Sequence, residues 1–380
     1  MAKKRKIKTN LSLEDLGSKY PGSGLGEDYL LDSEDMLWVP SSSPIINYQI
    51  GGGAAYGRIV EIAGKESSGK SLLAMDFIKS AQELGGVGIF VDAELAFSKS
   101  WAVLNGLDMS LLHIFEENII EIIADFVAEV AIYYRSTLTN NEPIVLVVDS
   151  IAALDTKAAM ETSEADSKAE MGNRAKAVYK MLRLRNRLWH KLGITVIFIN
   201  QLRDKINTGF GSQYQEKVTT VGGNSMKFYA SQRIFLEAKK QVTTGSKTNK
   251  RRTGIEVEFS MKKNKLAIPR SPRRMGVIFD PDEGDLGFDK FEGLSDILVK
   301  NGTIVKNGNS YSYDGEQIAA SIGALQDAIE DDKELREDLL FTSEILTIDQ
   351  MQVRLDDEIE DRYPIDSLAF LTYADAPDEE

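Results

Sequence analysis

At 380 residues, 42% of them hydrophobic, the chain can bury one large α/β core plus a smaller domain, and no apolar run reaches the length of a bilayer crossing. It has no cysteine, which excludes disulfides and thiolate metal sites; its only imidazoles are His113 and His190, and Lys3-Lys4-Arg5-Lys6 is not followed by an apolar stretch, so a cytoplasmic protein without membrane contact is expected. The net charge of −14 is uneven: residues 327–380 carry 19 Asp/Glu against 4 Lys/Arg, whereas 202–274 carry 17 Lys/Arg against 5 Asp/Glu, the asymmetry of a polyanion-binding body with a competing acidic tail.

Residues 1–50 read as an irregular piece with Pro21, Gly22, Gly24 and Gly26. Ile59–Ala63 reads as a strand, and Leu72–Leu84 as a helix. Between them Gly64-Lys65-Glu66-Ser67-Ser68-Gly69-Lys70-Ser71 satisfies G-x-x-x-x-G-K-[ST]. In that setting the glycines let backbone N–H groups curl round a phosphate at a helix N-terminus, Lys70 reaches the β/γ oxygens, and Ser71 holds Mg²⁺. The chain is therefore expected to bind a nucleoside triphosphate, through Gly64, Glu66, Ser67, Ser68, Gly69, Lys70, Ser71 and Leu72.

Val87–Val91, Ile144–Val148 and Ile194–Ile199 are β-branched apolar runs of the kind buried on both faces of a parallel sheet. With helical segments between them they predict a doubly wound, mainly parallel α/β core. Each strand ends in chemistry. Glu94 follows the first at the carboxyl edge where open α/β sheets bind ligands, and is the candidate for activating an attacking water. Asp149 ends the second and suits the Mg²⁺ shell opposite Ser71. Asn200-Gln201 ends the third, where an amide can bond a γ-phosphate oxygen and lose it after hydrolysis.

Two stretches poor in apolar residues, the acidic Thr156–Gly172 and Arg203–Val221, read as long loops, a length at which loops are either functional or disordered, the second closed by Gly222-Gly223-Asn224. Between them Lys176, Lys180, Arg183 and Arg187 recur at i, i+4, i+7 and i+11, within an arc of about 60° on one helix face. A solvated basic face gives the same pattern, but two long loops beside a nucleotide site favour nucleic acid. Pro269, Pro272 and Pro281 mark a change of texture into a small mixed domain with Asn307-Gly308 and Asp314-Gly315 turns.

Gly-Arg-Ile-Val-Glu-Ile (57–62), Glu-Ser-Ser-Gly-Lys-Ser (66–71), Val-Asp-Ala-Glu (91–94), Val-Val-Asp-Ser-Ile-Ala-Ala-Leu (147–154), Phe-Ile-Asn-Gln (198–201), Gly-Gly-Asn-Ser-Met-Lys-Phe-Tyr-Ala-Ser (222–231) and Lys-Asn-Lys (263–265) resemble the bacterial RecA recombinase family in order and spacing, over about 57–326. The resemblance implies a RecA-type ATPase core at 51–280, an N-terminal polymerisation segment at 1–50, a small α+β domain at 281–330 and an acidic tail at 331–380. It implies an ATP- and Mg²⁺-dependent filament on single-stranded DNA that pairs with a homologous duplex and exchanges strands. The setting would be the cytoplasm of a bacterial or phage-infected cell, with single-strand-binding and mediator proteins as candidate partners. Met171, Lys176, Arg183, Lys205, Ile206, Gly222, Gly223 and Asn224 fall where the family touches DNA. Glu94 would be the catalytic base, Gln201 the γ-phosphate switch, and Lys263 and Lys265 would reach the neighbouring subunit's nucleotide beside Phe228. Trp101 stands in place of the family's adenine-stacking Tyr, Ser98 in place of its adenine-binding Asp, Lys65 in place of Pro and Leu95 in place of His. A ring helicase of the same fold and a non-exchanging ATP-dependent DNA-binding filament are the rival readings.

Overall fold

The computed structural model describes residues 36–138, 141–161, 167–204, 218–221, 224–245, 251–282, 284–357 and 363. A short ribbon of β1 (Trp38–Val39) and β2 (Ala54–Ala55) brackets α1 (Pro44–Ile50), whose Pro at the first helical position leaves no N–H unbonded there. The core is a parallel sheet built from β3 (Ile59–Gly64), β4 (Val87–Asp92), β5 (Leu112–Phe115), β6 (Ile144–Asp149), β7 (Ile194–Asp204) and β9 (Gln232–Thr244), in the order β9-β3-β7-β6-β4-β5. A short β8 (Val218–Thr220) pairs antiparallel with the end of β7.

These strands are apolar on both faces because helices cover both. Ile89, Ile144, Leu146, Val148, Val196 and Phe198 face α4 (Ile120–Thr137) and α6 (Ser167–Lys191), where Ile123, Val127, Val178, Leu182 and Trp189 complete one buried cluster. On the other face lies α2 (Lys70–Glu83), with Leu73, Phe77 and Ile78 fully buried. It approaches so closely that a Cβ on Gly88 would lie 2.4 Å from the Ile78 side chain. The mainly parallel, doubly wound core predicted from the sequence is the core observed.

Beyond β9 the sheet turns antiparallel through β10 (Arg251–Asn264), β11 (Arg273–Ile278) and β12 (Gly287–Phe288). Because β12 pairs with β11, the main sheet crosses the boundary expected at residue 280. The small C-terminal part begins with α8 (Leu294–Lys300) and a three-stranded sheet of β13 (Val305–Asn307), β14 (Ser310–Tyr313) and β15 (Glu316–Ala319). Its last hairpin turns on Asp314-Gly315, both at positive φ (48° and 82°), as a two-residue turn of that kind requires.

The acidic tail expected from residue 331 is helical as far as residue 357. After α9 (Ile322–Asp331) come α10 (Lys333–Thr342) and α11 (Ile348–Asp357), which bury Leu339, Leu340 and Met351. Counting charge hid the apolar spacing. Several of the carboxylates work locally: Asp332 caps α10 by accepting from Leu335 N at 3.0 Å. Asn47 Nδ2 donates to Leu346 O at 2.9 Å, tying this region to α1. Farther along, Tyr363 lies against Gly193, with the Tyr56 ring 6.3 Å away and the Arg135 guanidinium 5.6 Å over its face. Among the described residues no helix is long and apolar enough to cross a membrane.

Candidate functional site

The phosphate loop leaves the carboxyl end of β3 and enters α2. Gly64 is required by space, since a Cβ there would sit 2.3 Å from Ser68 Oγ and 2.6 Å from Leu236 O. Gly69, at φ 88°, is the left-handed residue from which α2 starts, leaving backbone N–H groups at that end free of a side-chain cap. Ser67 also takes positive φ, at 55°. Lys70 Nζ donates to Lys65 O at 2.8 Å, across the loop it is expected to serve. Burial lowers the Lys70 pKa, while Asp149, Glu94 and Glu66 act to raise it.

Ser71 Oγ donates to Asp149 Oδ2 at 2.6 Å, so the hydroxyl and the carboxylate predicted for Mg²⁺ meet. Both are hard oxygen donors, the class Mg²⁺ takes together with phosphate oxygens, and the pair fits that ion. Burial pushes the Asp149 carboxyl up to about 6, and Glu94 and Asp92 add to the rise, while the Ser71 hydrogen bond and Lys70 act to lower it. Glu94, exposed on the loop after β4, accepts a hydrogen bond from Ser150 Oγ, the residue directly after Asp149. Asp92 steadies that loop by accepting from the backbone N of Ala96 (3.1 Å) and Phe97 (2.8 Å).

Two cavities flank the loop. One, of about 370 Å³, is lined by Ser67, Ser68, Gly69, Lys70, Ser71 and Leu72 together with Trp101, Arg252 and Phe279. Trp101 thus lines the same cavity as the phosphate loop, and its ring is exposed enough to belong to that wall. Ser98 is occupied as the N-cap of α3 (Lys99–Leu104), accepting from Trp101 N at 3.3 Å. Sequence reasoning missed Arg252 and Phe279, whose charge and ring meet at 5.5 Å. Arg252 was one cation in a basic run, and only the fold of β10 onto β11 brings it here. The other cavity, of about 500 Å³, is lined by Lys65, Glu66, Gln201, Leu202 and Arg203, so Gln201 shares a space with the phosphate loop.

Lys263 and Lys265 line neither cavity. Lys263 Nζ donates to the carbonyl of Lys227 at 2.5 Å, beside Phe228 on α7 (Ser225–Tyr229), whose ring is 70% exposed. Burial and the charges of Lys265 and Arg233 lower the Lys263 pKa. Lys265 is exposed, its backbone N bonded to Ser231 O at 3.0 Å.

On the expected nucleic-acid face, Lys176, Lys180, Arg183 and Arg187 are all exposed along α6, while Val178, Leu182 and Trp189 are buried on its other side. Asn224 is exposed at the start of α7. Lys205, Ile206, Gly222 and Gly223 lie outside the described residues, as does the side chain of Met171 on α6. The expected Thr156–Gly172 loop is a correction: α5 (Lys157–Glu161) and the first turns of α6 occupy much of it. Ala158, Ala159, Met160 and Glu161 are good helix formers, which a reading based on few large apolar residues undervalued.

A family model described as the RecA N-terminal domain matches residues 25–283. The protein is similar to Protein RecA of Bacteroides thetaiotaomicron, 33% identical over 345 residues that cover 89% of this chain and 97% of that one. Protein RecA of Chloroherpeton thalassium is 35% identical over 314 residues, 81% of each chain, and that of Cytophaga hutchinsonii 34% over 337, 87% of each. By both measures the chain belongs to the RecA family.

Proposed function

We propose that the protein is an ATP-dependent recombinase that assembles as a helical filament on single-stranded DNA, pairs it with a homologous duplex and exchanges strands. It works in the cytoplasm of a bacterial or phage-infected cell. The observation that carries the reading is a convergence: Lys70, Ser71, Asp149 and Glu94 surround one phosphate loop, and Gln201 shares a cavity with that loop while standing at the root of the 203–223 segment.

In this reading Lys70 and the loop N–H groups hold the β- and γ-phosphates, and Trp101 stacks on the base. Mg²⁺, when bound, neutralises phosphate charge at Ser71 and Asp149. Glu94 takes a proton from the attacking water, after exchanging its Ser150 contact for that water. Gln201 bonds the γ-phosphate and passes its presence to the DNA-facing segment. Lys263 and Lys265, which line neither cavity beside their own loop, serve the nucleotide of the next subunit, so hydrolysis requires assembly. Lys176, Arg183 and Asn224 hold DNA phosphates, leaving sequence recognition to base pairing.

The test is ATP turnover with and without single-stranded DNA. The parent is expected to hydrolyse ATP far faster with DNA. Glu94→Gln is expected to bind nucleotide and DNA but not turn over, because an amide cannot accept the water's proton. DNA-independent turnover in the parent, or normal turnover in Glu94→Gln, contradicts the reading.

A further inference from the structure

Glu61 lies in the middle of β3 with no solvent exposure, and its two oxygens serve two different strands. Oε1 accepts from Asn200 Nδ2 on β7 at 2.8 Å. Oε2 accepts from Nε of Arg233, the residue in register beside it on β9. Asn200, equally buried, uses its whole amide: Nδ2 also donates to Val221 O at 3.0 Å, and Oδ1 accepts from the backbone N–H of Gln201 at 2.9 Å. Val221 N–H in turn points at Gln201 O, at 3.4 Å. On the far side, Arg233 pairs in register with Lys263 across the β9–β10 ladder.

One buried carboxylate thus holds two residues directly, Asn200 and the arginine facing Lys263, and through Asn200 it reaches a third, Val221. Apolar residues at both 61 and 233 would avoid the cost of desolvating two charges, so stability alone does not account for the pair, and the geometry it imposes is what it adds. Asn200 cannot turn without releasing Glu61, Val221 or the Gln201 N–H. Glu61 cannot follow it, because Arg233 grips its other oxygen. A displacement of Val221 is therefore carried to Gln201 rather than absorbed locally.

We propose that Asn200, anchored by the buried Glu61–Arg233 pair, is a positioning residue that couples the returning end of the 203–223 segment to Gln201 and so sets how strongly DNA stimulates hydrolysis. The proposal rests on the recombinase reading above, in which Gln201 faces the γ-phosphate and the segment faces DNA.

Asn200→Ala removes the coupling amide and leaves the Glu61–Arg233 pair in place. Its nucleotide affinity, its turnover without DNA and its half-saturating DNA concentration are expected within about twofold of the parent. Its DNA-stimulated kcat is expected to fall roughly tenfold, about 1.4 kcal/mol of barrier, with KM for nucleotide unchanged. In a double-mutant cycle with Glu61→Gln, the two losses of stimulation should not add, because both break the same link. Should Glu61→Gln fail to fold, Arg233→Lys, which keeps the charge but lacks the Nε donor, takes its place. A folded Asn200→Ala protein with the parental stimulation ratio overturns the proposal, as does an equal fall with and without DNA. A parent that shows no stimulation overturns the recombinase reading itself, and that failure is visible before any variant is made.

Discussion

Asp149→Asn separates what the nucleotide site needs from what the fold prefers. Burial is the main reason the Asp149 carboxyl rises from an ordinary 3.8 to about 6. A carboxyl with a higher pKa in the folded state holds its proton better when folded, so it adds stability at low pH and loses that contribution as pH climbs from 3.8 through 6. Nothing of it remains at pH 8. At pH 5 the two values give about 1.4 kcal/mol in favour of the folded state. Asparagine keeps an oxygen for the 2.6 Å bond from Ser71 but does not titrate. Urea unfolding of both proteins from pH 5 to pH 8 should therefore show the parent losing about 1.4 kcal/mol relative to the variant. At pH 8, adding Mg²⁺ and ATP should stabilise the parent and do much less for the variant. A stability difference that stays flat across this range, or one that moves in the parent's favour toward pH 8, would refute a buried carboxylate opposite Ser71.

Lys265→Ala should bind nucleotide normally yet lose DNA-stimulated hydrolysis, and mixing it with Glu94→Gln should restore part of the activity through junctions that pair an intact Glu94 with an intact Lys265. No recovery at any mixing ratio would place the lysine's role within one subunit. Gly193→Ala forces a side chain into φ 65°, with its Cβ 2.6 Å from the Tyr363 ring. It should cost about 1–2 kcal/mol for the left-handed backbone and more for the displaced ring, and only the second part should vanish in a Tyr363→Ala background, as read by urea unfolding of the cycle. Trp101→Ala should weaken nucleotide binding about fivefold, near 1 kcal/mol, with kcat at saturation unchanged. Ending the chain after Asp357 removes eight carboxylates and one arginine while keeping α9 to α11. It should tighten duplex DNA binding at low salt, the curves converging with the full chain's as salt rises; identical curves throughout would exclude electrostatic competition.

The edge that carries the candidate site was legible because each part is written as a strand followed by a polar residue. Gly64 to Ser71, Glu94, Asp149 and Gln201 all terminate apolar runs, and a parallel sheet aligns the ends of such runs at one edge. Trp101 and Lys263 depended on family resemblance, since neither spacing nor composition distinguishes them from a packed ring or a solvated cation. Arg252 and Phe279 were not legible at all: they meet the phosphate loop only because β9, β10 and β11 fold back in register, and pairing between distant strands leaves no local mark. The helices at 333–357 were obscured by charge, although Leu339, Leu340 and Met351 carried the apolar spacing all along. Glu61 is a single charge in an otherwise apolar strand, and its role shows only once Asn200 and Arg233 are brought beside it by the neighbouring strands.

The most direct test of the central claim is transfer of a labelled strand from a duplex to protein-bound single-stranded DNA in the presence of ATP and Mg²⁺. The account predicts exchanged product when the two DNAs are homologous, none when they are not, and none with Lys70→Ala. Unwinding of the duplex regardless of homology, or vigorous DNA-stimulated hydrolysis without any exchanged strand, would contradict it.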